Sequence, residues 1–444
     1  VTAVHTPTGT GYEAVTDGEG RFNILNVRVG PYDVAVSMGG FRPEKLQAVD
    51  VKLGEQATVD FKLAVATVTE TVEVRGESSL IDLTRAGTAD NVSSAAIESL
   101  PTISRSIVDM ARTSPYFNPI GLNEDPLAVS VAGRNNRYNN VQIDGAVNND
   151  VFGLAASGTP GGQTETQPIS LDAIQELQLV VSPYDVRQGG FSGGGINAIT
   201  RTGSNKFKGT GYFFGRNQDF VGDGVSRRPI AQFKQQQMGG SLGGRIVQNK
   251  AFFFGNVDFD RRDNPSGISV STSGQTFGRE AEIDRFISIL KSRYGYDPGG
   301  KEEFIRTVNS DKVFARTDFN LNNRHQLTAR HNYNNSLNDI GRPSVTAYYL
   351  PDAFYRIRNK TNSSVLQMNS AFGGGVNEAR VTFQRIRDRR AGQPTEAKPF
   401  PFVQVNLSSG TVRAGRENFS TANELDRTST SSVTTSHGGG ASTR

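Results

Sequence analysis

The chain has no cysteine, no tryptophan and only four histidines among its 444 residues. Without cysteine it can form neither a disulfide framework nor a zinc-thiolate site. The histidines are His5, His325, His331 and His437; their spacing is not that of metal ligands, and we interpret His325 and His331 as ordinary surface residues. The sequence therefore predicts no metal site and no cofactor.

Long apolar runs are absent as well. No stretch approaches the roughly 18 apolar residues that a membrane-spanning helix needs, and the mean hydropathy is -0.44. This pattern excludes a helical membrane protein but leaves a membrane barrel possible, because barrel strands expose only every second residue to lipid. The charge is nearly balanced, with 48 basic and 44 acidic residues, so it does not indicate a nucleic-acid partner.

The most informative stretch runs from residue 128 to residue 205, and its first half reads AVSVAGRNNRYNNVQIDGAVNND. Val129 and Val131 alternate with small or polar residues, and so do Val141 and Ile143 after a polar Asn/Arg turn. Alternation of this kind indicates half-buried strands. The first half therefore predicts a hairpin-like unit of strand, loop and strand.

The second half of this stretch reads ISLDAIQELQLVVSPYDVRQGGFSGGGINAITRTGSN. Ser170 can cap a short helix that has Asp172 in its first turn and Ile174 and Leu177 as its apolar stripe. A strand from Leu177 to Val181 is predicted to follow. The glycine cluster permits turns or close backbone approach, and INAIT predicts a final strand.

Together the two halves resemble the plug domain of TonB-dependent outer-membrane transporters, through VSVAGRNN with VQIDG and through LDAIQELQLV with GGGINAITRTGS. The residues that carry this plug signature are Gly133, Asp144, Gly145, Gly194, Gly195, Ile196, Asn197 and Thr200. We expect residues 77 to 205 to form the plug domain, with two short helices that end at Pro101 and Pro115. A polar link of residues 155 to 167 lengthens the family's usual connection between the halves, and the sequence does not indicate its role.

Residues 1 to 65 contain six short alternating segments separated by turns, which predicts a small β-sandwich. The string TDGEGRFNILNVRVGPYDVAVSMGGFRP is similar to the carboxypeptidase regulatory-like domain, with hallmarks at Thr16, Asp17, Gly20, Phe22, Gly30, Tyr32, Val34 and Phe41. The resemblance implies a structural or docking role without a peptidase site. Since the first residue is Val1 and the similarity begins late in the domain, we expect a fragment whose export signal lies outside it.

Residues 66 to 76, ATVTETVEVRG, are an extended β-branched run between the two predicted domains. In the resembled family, a short box of the type ETVEV lies ahead of the plug and binds the periplasmic protein TonB by strand addition. The resemblance thus implies a TonB-coupling segment at Glu70, Thr71, Val72, Glu73 and Val74. The alternative is a last strand or a simple linker, and the sequence leaves both possibilities open.

From Lys206 the chain shows longer alternating segments, which predict the first strands of an antiparallel transmembrane β-barrel over residues 206 to 426. In VFARTDFNL, the residues expected to meet lipid are Val313, Ala315, Phe319 and Leu321, and those expected to meet a wet lumen are Arg316, Asp318 and Asn320. LGGRIVQNKAFFFG resembles the early barrel of the Oar-like branch of the same transporters. Inserts at 264 to 310, which contains a helical segment, 336 to 362 and 388 to 401 are expected to be outward-facing loops.

The last residues, 427 to 444, form a low-complexity tail that is expected to be disordered and not to continue the barrel. An arginine-rich cluster precedes it at Arg385, Arg387, Arg389 and Arg390. These arginines either face lipopolysaccharide phosphates or mark a solvated strand end, and the sequence leaves both interpretations open.

A hydrolase nucleophile elbow is suggested by Gly190, Ser192 and Gly194, which satisfy the G-x-S-x-G pattern. An elbow needs a strand before the serine and a helix after it. The segment that follows here, INAIT, is strand-like, so we expect that the chain is not an enzyme.

The sequence as a whole predicts a mainly β protein, with a small β-sandwich, an α+β plug domain and a partial antiparallel transmembrane β-barrel. The resemblance implies a TonB-dependent receptor that moves an unidentified ligand across the outer membrane of a Gram-negative bacterium, driven by TonB and the proton gradient. Its expected partners are TonB, outer-membrane lipid and lipopolysaccharide. The alternative is a secreted or surface-attached adhesin built of β-domains, against which the lipid-facing alternation after Lys206 and the plug signature both argue.

Overall fold

The computed structural model describes residues 1–25, 27–65, 72–75, 87–102, 105–120, 127–183, 192–221, 232–266, 268–270, 275–341, 343–372, 375–392, 400–408, 410–416 and 423–438. Strands dominate these residues and form two five-stranded sheets and one eight-stranded sheet, together with three smaller sheets. In the part of the chain so described, no helix is both long and apolar enough to cross a membrane.

The N-terminal domain, residues 1–65, is built on a five-stranded sheet of order β2-β1-β3-β4-β5. The strands are β1 (Thr2–His5), β2 (Thr10–Glu13), β3 (Gly30–Val36), β4 (Glu44–Val51) and, from the segment that follows the domain, β5 (Val72–Arg75). Two of the six predicted strands, at 21–27 and 58–63, form no ladder among their described residues. Their apolar side chains nevertheless cover the buried face of the sheet, as Ile24 and Phe61 do, so the alternation reflects packing without backbone pairing.

The central domain, residues 87–205, corresponds to the predicted plug. Its elements are β6 (Gly87–Val92), α1 (Ser94–Ser99), α2 (Ile107–Ala111), β7 (Phe117–Pro119), β8 (Val129–Val131), β9 (Asn140–Ile143), β10 (Ala146–Val147), β11 (Ile174–Pro183) and β12 (Gly195–Thr200). The main sheet has the order β10-β9-β12-β11-β6, in which only β9 and β12 are parallel. Both predicted helices are present, and Ser106 with Asp109 forms a capping box on α2.

Two local predictions for the central domain were wrong. The strands β8 and β9 were expected to form a hairpin, but β8 pairs with β7, so that Phe117 lies opposite Val131. Ser170 caps only a single 3-10 turn, Leu171–Ala173, and β11 already begins at Ile174. The predicted helix does not form because β11 hydrogen-bonds to β6 on one side and to β12 on the other, which satisfies its backbone on both edges.

The third unit is an antiparallel sheet of order β13-β14-β15-β18-β19-β21-β22-β25, which we call the large sheet. From residue 208 onward the elements are β13 (Lys208–Asn217), β14 (Lys234–Val247), β15 (Ala251–Pro265), β16 (Ile268–Ser269), β17 (Gln275–Thr276), α3 (Glu280–Tyr294), β18 (Ile305–Asn320), β19 (His325–Ile340), β20 (Ala347–Tyr349), β21 (Tyr355–Phe372), β22 (Gly375–Gly392), β23 (Val403–Leu407), β24 (Gly410–Ala414) and β25 (Asn423–Gly438). Short connections lie at one end, the turn end, and long ones lie at the other, the loop end.

The two faces of the large sheet differ as the alternation predicts. On β18, Val313 is exposed on the outer face, while its neighbour Phe314 is buried on the inner face. Phe314 and Phe254 join the core of the central domain, beside Leu177 and Leu179. Protein thus covers the inner face at Arg316 and Asp318, which corrects the wet surroundings expected for these two residues, whereas Asn320 is half-buried.

The tail after Asp426 was predicted to be disordered, and this is wrong for residues 427–438. They complete β25, which pairs with β22 along its whole length and adds an eighth strand to the large sheet. Ser and Thr side chains give no apolar periodicity, but strand pairing uses backbone groups, and threonine favours extended structure. Residues 439–444 lie outside the described residues.

Three long connections at the loop end share one apolar core, and we call them the loop subdomain. They comprise the described residues within 268–304, 343–354 and 400–416, and buried core side chains come from all three, including Ile283, Tyr348 and Val412. The helical segment predicted in the first connection is α3. The second connection is shorter than predicted, because β19 and β21 extend beyond the apolar part of the sheet. The third begins later than predicted, after β22 ends at Gly392, and continues past residue 401 through β23 and β24.

Candidate site where three units meet

Four residues of the plug signature form one hydrogen-bonded cluster at the edge of the central domain. Asp144, at the end of β9, accepts hydrogen bonds from the Thr200 backbone amide at 2.8 Å and from the Thr200 hydroxyl at 2.9 Å. The Asn197 side-chain oxygen accepts from the Gly145 amide at 3.1 Å. These contacts join the turn after β9 to the end of β12, two segments that lie far apart in the sequence.

The signature glycines are required for backbone reasons. A Cβ atom on Gly194 would lie 2.5 Å from the Val131 side chain, so only glycine permits this approach. Gly133 and Gly145 have positive φ angles of 75° and 73°, which favour glycine. Gly195 and Ile196 begin β12, where Ile196 is buried between β9 and β11.

Three arginines of the large sheet contact this cluster. We call the cluster of Asp144, Gly145, Asn197 and Thr200, together with Arg316, Arg330 and Arg380, the seat. Arg330 of β19 places its Nε 3.1 Å from the Asp144 carboxylate. Arg316 of β18 donates to the Thr200 hydroxyl at 2.8 Å, and Arg380 of β22 donates to the Gly145 carbonyl at 2.6 Å. Of these three arginines, the sequence predicted only that Arg316 lies on the inner face. Alternation assigns a residue to a face of the sheet but does not identify the residues that it contacts there.

The polar link of residues 155 to 167 forms a second set of contacts, nearer the loop end. Glu165 accepts from Arg306 at 2.7 Å, and its backbone carbonyl accepts from Arg262 at 2.7 Å. The hydroxyls of Thr164 and Ser336 lie 2.6 Å apart, as do those of Thr166 and Ser310. The link therefore fastens the central domain to the inner face, a role for which its sequence carries no signal.

The N-terminal domain contacts the turn end of the same inner face. Arg28 donates to Asn320 and to Gln326, each at 3.2 Å, and lies 3.7 Å from the Asp318 carboxylate. Gln326 donates to the Tyr12 hydroxyl at 2.7 Å. Asp318 is fully buried and also binds both guanidinium donors of Arg316 at 2.9 Å. A continuous polar network thus runs from the N-terminal domain through the large sheet to the seat.

The N-terminal domain also binds the central domain directly. The Leu53 amide donates to Glu176 of β11 at 3.3 Å, and the Leu53 carbonyl accepts from Gln178 at 3.2 Å and from Asn91 at 3.0 Å. Burial raises the pKa of Glu176 to about 7. The Leu53 amide and Lys52 act against this rise, while the carboxylates of Glu55 and Asp50 add to it.

The predicted TonB-coupling segment is described only in part. Glu70 and Thr71 lie outside the described residues, whereas Val72, Glu73 and Val74 belong to β5. This strand runs parallel to β4, with Val72 opposite Glu44, and forms the end of the N-terminal sheet. One edge of β5 therefore has no partner strand among the described residues.

The G-x-S-x-G pattern does not form an elbow in the part that is described. Gly190 lies outside the described residues, and the segment after Ser192 and Gly194 is the strand β12. The described ranges also contain no group of three or more His, Asp or Glu side chains that could hold a metal ion.

Two sequence profiles match the chain, the carboxypeptidase regulatory-like domain over residues 1–64 and an outer membrane β-barrel domain over residues 199–288. The TonB-dependent transporter Oar of Myxococcus xanthus is 24% identical over 336 residues, which cover 71% of this chain and 30% of that protein. The chain thus spans less than a third of the length of this relative. Among solved structures, the outer membrane transporter YddB from Escherichia coli has a TM-score of 0.54 at 16% identity, with coverage of 78% of this chain and 45% of that one.

These matches confirm the resemblance to TonB-dependent outer-membrane receptors of the Oar-like kind with an N-terminal carboxypeptidase regulatory-like domain. They also confirm the mainly β fold with a partial barrel, and the location in the outer membrane of a Gram-negative bacterium. The matched relative is a transporter and not an enzyme, in agreement with the expectation for this chain.

Proposed function

We propose that this Oar-like receptor of the outer membrane moves a ligand across that membrane, driven by TonB and the proton gradient. In this proposal the central domain is the plug and the large sheet is part of the barrel wall. The observation that carries it is the seat, where Asp144 meets Arg330 and Arg316 on the inner face of the wall. Buried polar contacts, together with Phe254 and Phe314 of the large sheet, hold the central domain on the inner face. The domain can leave when these contacts are broken together.

The coupling segment of this proposal is Glu70 to Val74. An edge strand offers unpaired backbone groups to which another chain can add. TonB would add a strand to the open edge of β5 and would then pull on a sheet that includes β4. Because the N-terminal domain touches both the central domain and the barrel wall, the pull reaches this domain before it reaches the seat.

The proposed division of the chain follows from the same argument. Residues 1–65 form the docking domain, 66–76 the coupling linker, 77–205 the plug and 206–426 the beginning of the barrel, with 427–444 as the compositionally distinct tail. The adhesin alternative receives no support from the contacts, because an adhesin has no need of a domain held against the inner face of a curved sheet.

A proline substitution tests the coupling segment. Val72→Pro removes one backbone N–H donor and fixes φ, so strand addition should fail while the plug and barrel, which do not contain this residue, stay folded. In the receptor as the cell produces it, we expect unchanged surface abundance and unchanged ligand binding, but no uptake. The matched control Val72→Ala keeps the donor and should retain uptake. Normal uptake by the proline variant would show that residues 70–74 do not couple the receptor to TonB and act only as a linker.

A further inference from the structure

A carboxylate from the polar link of residues 155–167 lies in a site on the inner face of the large sheet. Arg306 donates to one carboxylate oxygen of Glu165 at 2.7 Å, and the Asn338 side-chain amide donates to the same oxygen at 3.3 Å. Arg262 lies 3.7 Å from the other oxygen and donates to the Glu165 backbone carbonyl at 2.7 Å. We call Arg262, Arg306 and Asn338 the carboxylate site.

The carboxylate site is built by the large sheet alone. Its three members lie near the loop end on the neighbouring strands β15, β18 and β19. Arg306 also donates to the Asp339 backbone carbonyl at 2.9 Å and to the Asn338 side-chain oxygen at 3.1 Å. These contacts orient the guanidinium group without help from Glu165, so the site keeps its shape when the link moves away.

The charges of the carboxylate site require an anion in it. Among the described residues, Arg306 pairs with no carboxylate other than Glu165, whereas Arg262 also lies 3.1 Å from Asp260. A guanidinium group that is left unpaired away from water is strongly unfavourable. The side chains of Arg262 and Arg306 are nevertheless 15% and 21% exposed, against 9% for Glu165. An anion that arrives at the loop end can therefore reach both arginines.

Glu165 itself is held in an unfavourable backbone conformation. Its φ of 51° and ψ of 33° lie in the left-handed region, which glycine adopts without strain and glutamate does not. The left-handed positions just before it in the link, Gly158 and Gly161, are both glycine. Departure of Glu165 from the carboxylate site would relieve this strain, so a competing carboxylate can displace it more readily than it could displace a relaxed residue.

We propose that the carboxylate site binds a ligand carboxylate, and that Glu165 occupies the site as an internal competitor until such a ligand displaces it. The paired N–H groups of a guanidinium match the two oxygens of a carboxylate. After displacement, the link keeps only neutral contacts to the wall near residue 165, between Thr164 and Ser336 and between Thr166 and Ser310. Arrival of the ligand thus weakens the hold of the large sheet on the central domain. The proposal rests on the proposed function in one respect, because there the loop end faces outward.

The alternative is a permanent ion pair that only fastens the link. Both readings account for the contact between Glu165 and the arginines, but they differ in what an added carboxylate does. A permanent pair excludes it, whereas an internal competitor yields to it. The probe is glutarate, which carries the carboxylate of a glutamate side chain, and its neutral counterpart is glutaramide.

The first test measures glutarate binding by equilibrium dialysis of the receptor, purified in detergent as the cell produces it. Glu165→Ala removes the competitor and should bind glutarate about tenfold or more tightly than the wild type, because the site is then always free. The matched control is Glu282→Ala, which removes a carboxylate from an exposed pair with Arg279. It should stay within about twofold of the wild type, since exposed pairs contribute little. Addition of Arg306→Gln to Glu165→Ala should abolish the gain.

The second test keeps Glu165 and restrains the link. The hydroxyls of Thr164 and Ser336 lie 2.6 Å apart, so Thr164→Cys with Ser336→Cys can form a disulfide between the link and β19. The disulfide holds Glu165 beside the arginines at a high effective concentration. The oxidised form should therefore bind glutarate about tenfold or more weakly than the reduced form of the same protein.

The third test follows displacement itself by hydrogen exchange in the wild type. The Glu165 amide donates to the Gly162 carbonyl and the Thr166 amide donates to the Gly161 carbonyl, so both report on the folded link. Glutarate should make these amides exchange several times faster, and glutaramide should have no effect.

Four results would overturn the proposal: equal glutarate binding by Glu165→Ala and the wild type, no loss on addition of Arg306→Gln, equal binding of glutarate and glutaramide, or link amides that exchange at the same rate with and without glutarate. None of these measurements involves TonB. Val72→Pro should stop uptake and still bind glutarate, so failure of the carboxylate site leaves the transport proposal standing, and failure of the transport proposal is visible without glutarate.

Discussion

Arg28 of the N-terminal domain lies 3.7 Å from the Asp318 carboxylate, which is fully buried on the inner face of β18. The same carboxylate binds Arg316, and Arg316 donates to Thr200 of the seat. The N-terminal domain is thus the third member of a network that joins the barrel wall to the plug. If the N-terminal domain moved away from the large sheet, Asp318 would lose the nearby charge of Arg28.

We predict that Arg28→Gln loosens the N-terminal domain without unfolding it. The substitution removes a cation from a buried carboxylate and shortens a side chain that donates to Asn320 and Gln326. A loosened domain should expose the linker, so limited proteolysis should cut within residues 66–78 several times faster than in the wild type. Arg21→Gln is the matched control, because among the described residues Arg21 pairs with exposed Asp17 and Glu19 of its own domain. Equal cleavage rates for both variants would contradict the prediction.

The second prediction concerns the seat. Asp144→Asn removes the charge that faces Arg330 and Arg316. The Arg330 guanidinium then stays buried against a neutral amide, whereas Arg316 keeps its ion pair with Asp318. Breaking a buried ion pair from one side costs about 3 to 5 kcal/mol. We expect the plug to unfold or leave the wall at lower urea concentration, as measured by hydrogen exchange of β9 and β12.

The control for the seat is Asp297→Asn, which affects an exposed pair with Lys291 in the loop subdomain. Exposed pairs contribute about 0 to 1 kcal/mol, so this variant should exchange as the wild type does. If Asp144→Asn behaves like Asp297→Asn, the seat does not hold the plug.

The third prediction is a pH dependence of docking. Burial raises the pKa of Glu176 to about 7 from its ordinary 4.5, so the docked form keeps a proton that the free form loses between these values. Docking should therefore be strongest below about pH 4.5 and should weaken as pH rises to about 7. The measurement is hydrogen exchange at the Leu53 amide, which donates to Glu176. Glu176→Gln has no titrating group and should show no such change once intrinsic exchange rates are divided out, while the same slope in both proteins would exclude Glu176 as the cause.

The fourth prediction separates two routes for the TonB pull by means of cysteine cross-links, and these 444 residues contain no native cysteine that would compete for them. A cross-link between Gln47→Cys and Arg75→Cys locks β5 to β4 at residues that are register partners. A cross-link between Thr10→Cys and Asn320→Cys locks the N-terminal domain to the barrel, where the two native side chains share a hydrogen bond of 2.8 Å.

If the pull passes through the N-terminal domain, the first lock should leave uptake intact. The second lock should stop uptake until a reductant or a cleavable linker releases it. The opposite pattern would mean that β5 separates from β4 while the domain stays in place. The four single-cysteine variants serve as controls for the substitutions themselves.

Local alternation was sufficient to predict most strands, but pairing and turns depend on distant residues. Val129 and Val131 were correctly assigned to a strand, yet their partner is Phe117 and its neighbours, outside the predicted hairpin. The segment after Ser170 was predicted to begin as a helix from its cap. The central position of β11 between two strands outweighs that local signal, since a backbone satisfied on both edges is the more stable state.

The sequence predicted the central-domain residues of the seat but not most of the arginines that contact them. The resemblance to the plug family implied Asp144 and Thr200, and alternation placed Arg316 on the inner face. Arg330 and Arg380 carry no separate signal, because contacts between units arise from tertiary structure. For the same reason the polar link of residues 155–167 had no predicted role, although its hydroxyls meet Ser310 and Ser336.

The loop subdomain has a consequence for ligand capture. Independent loops lose conformational entropy when a ligand orders them, and that loss weakens binding. Here three connections already share one core, in which Tyr296 donates to Asp352 at 2.6 Å and stacks on Phe400 at 4.1 Å. Most of the entropic cost has been met during folding, so a ligand that touches this surface encounters a preorganised body. A shift of any one connection must also displace the other two, which makes the outer surface respond to a ligand as a unit.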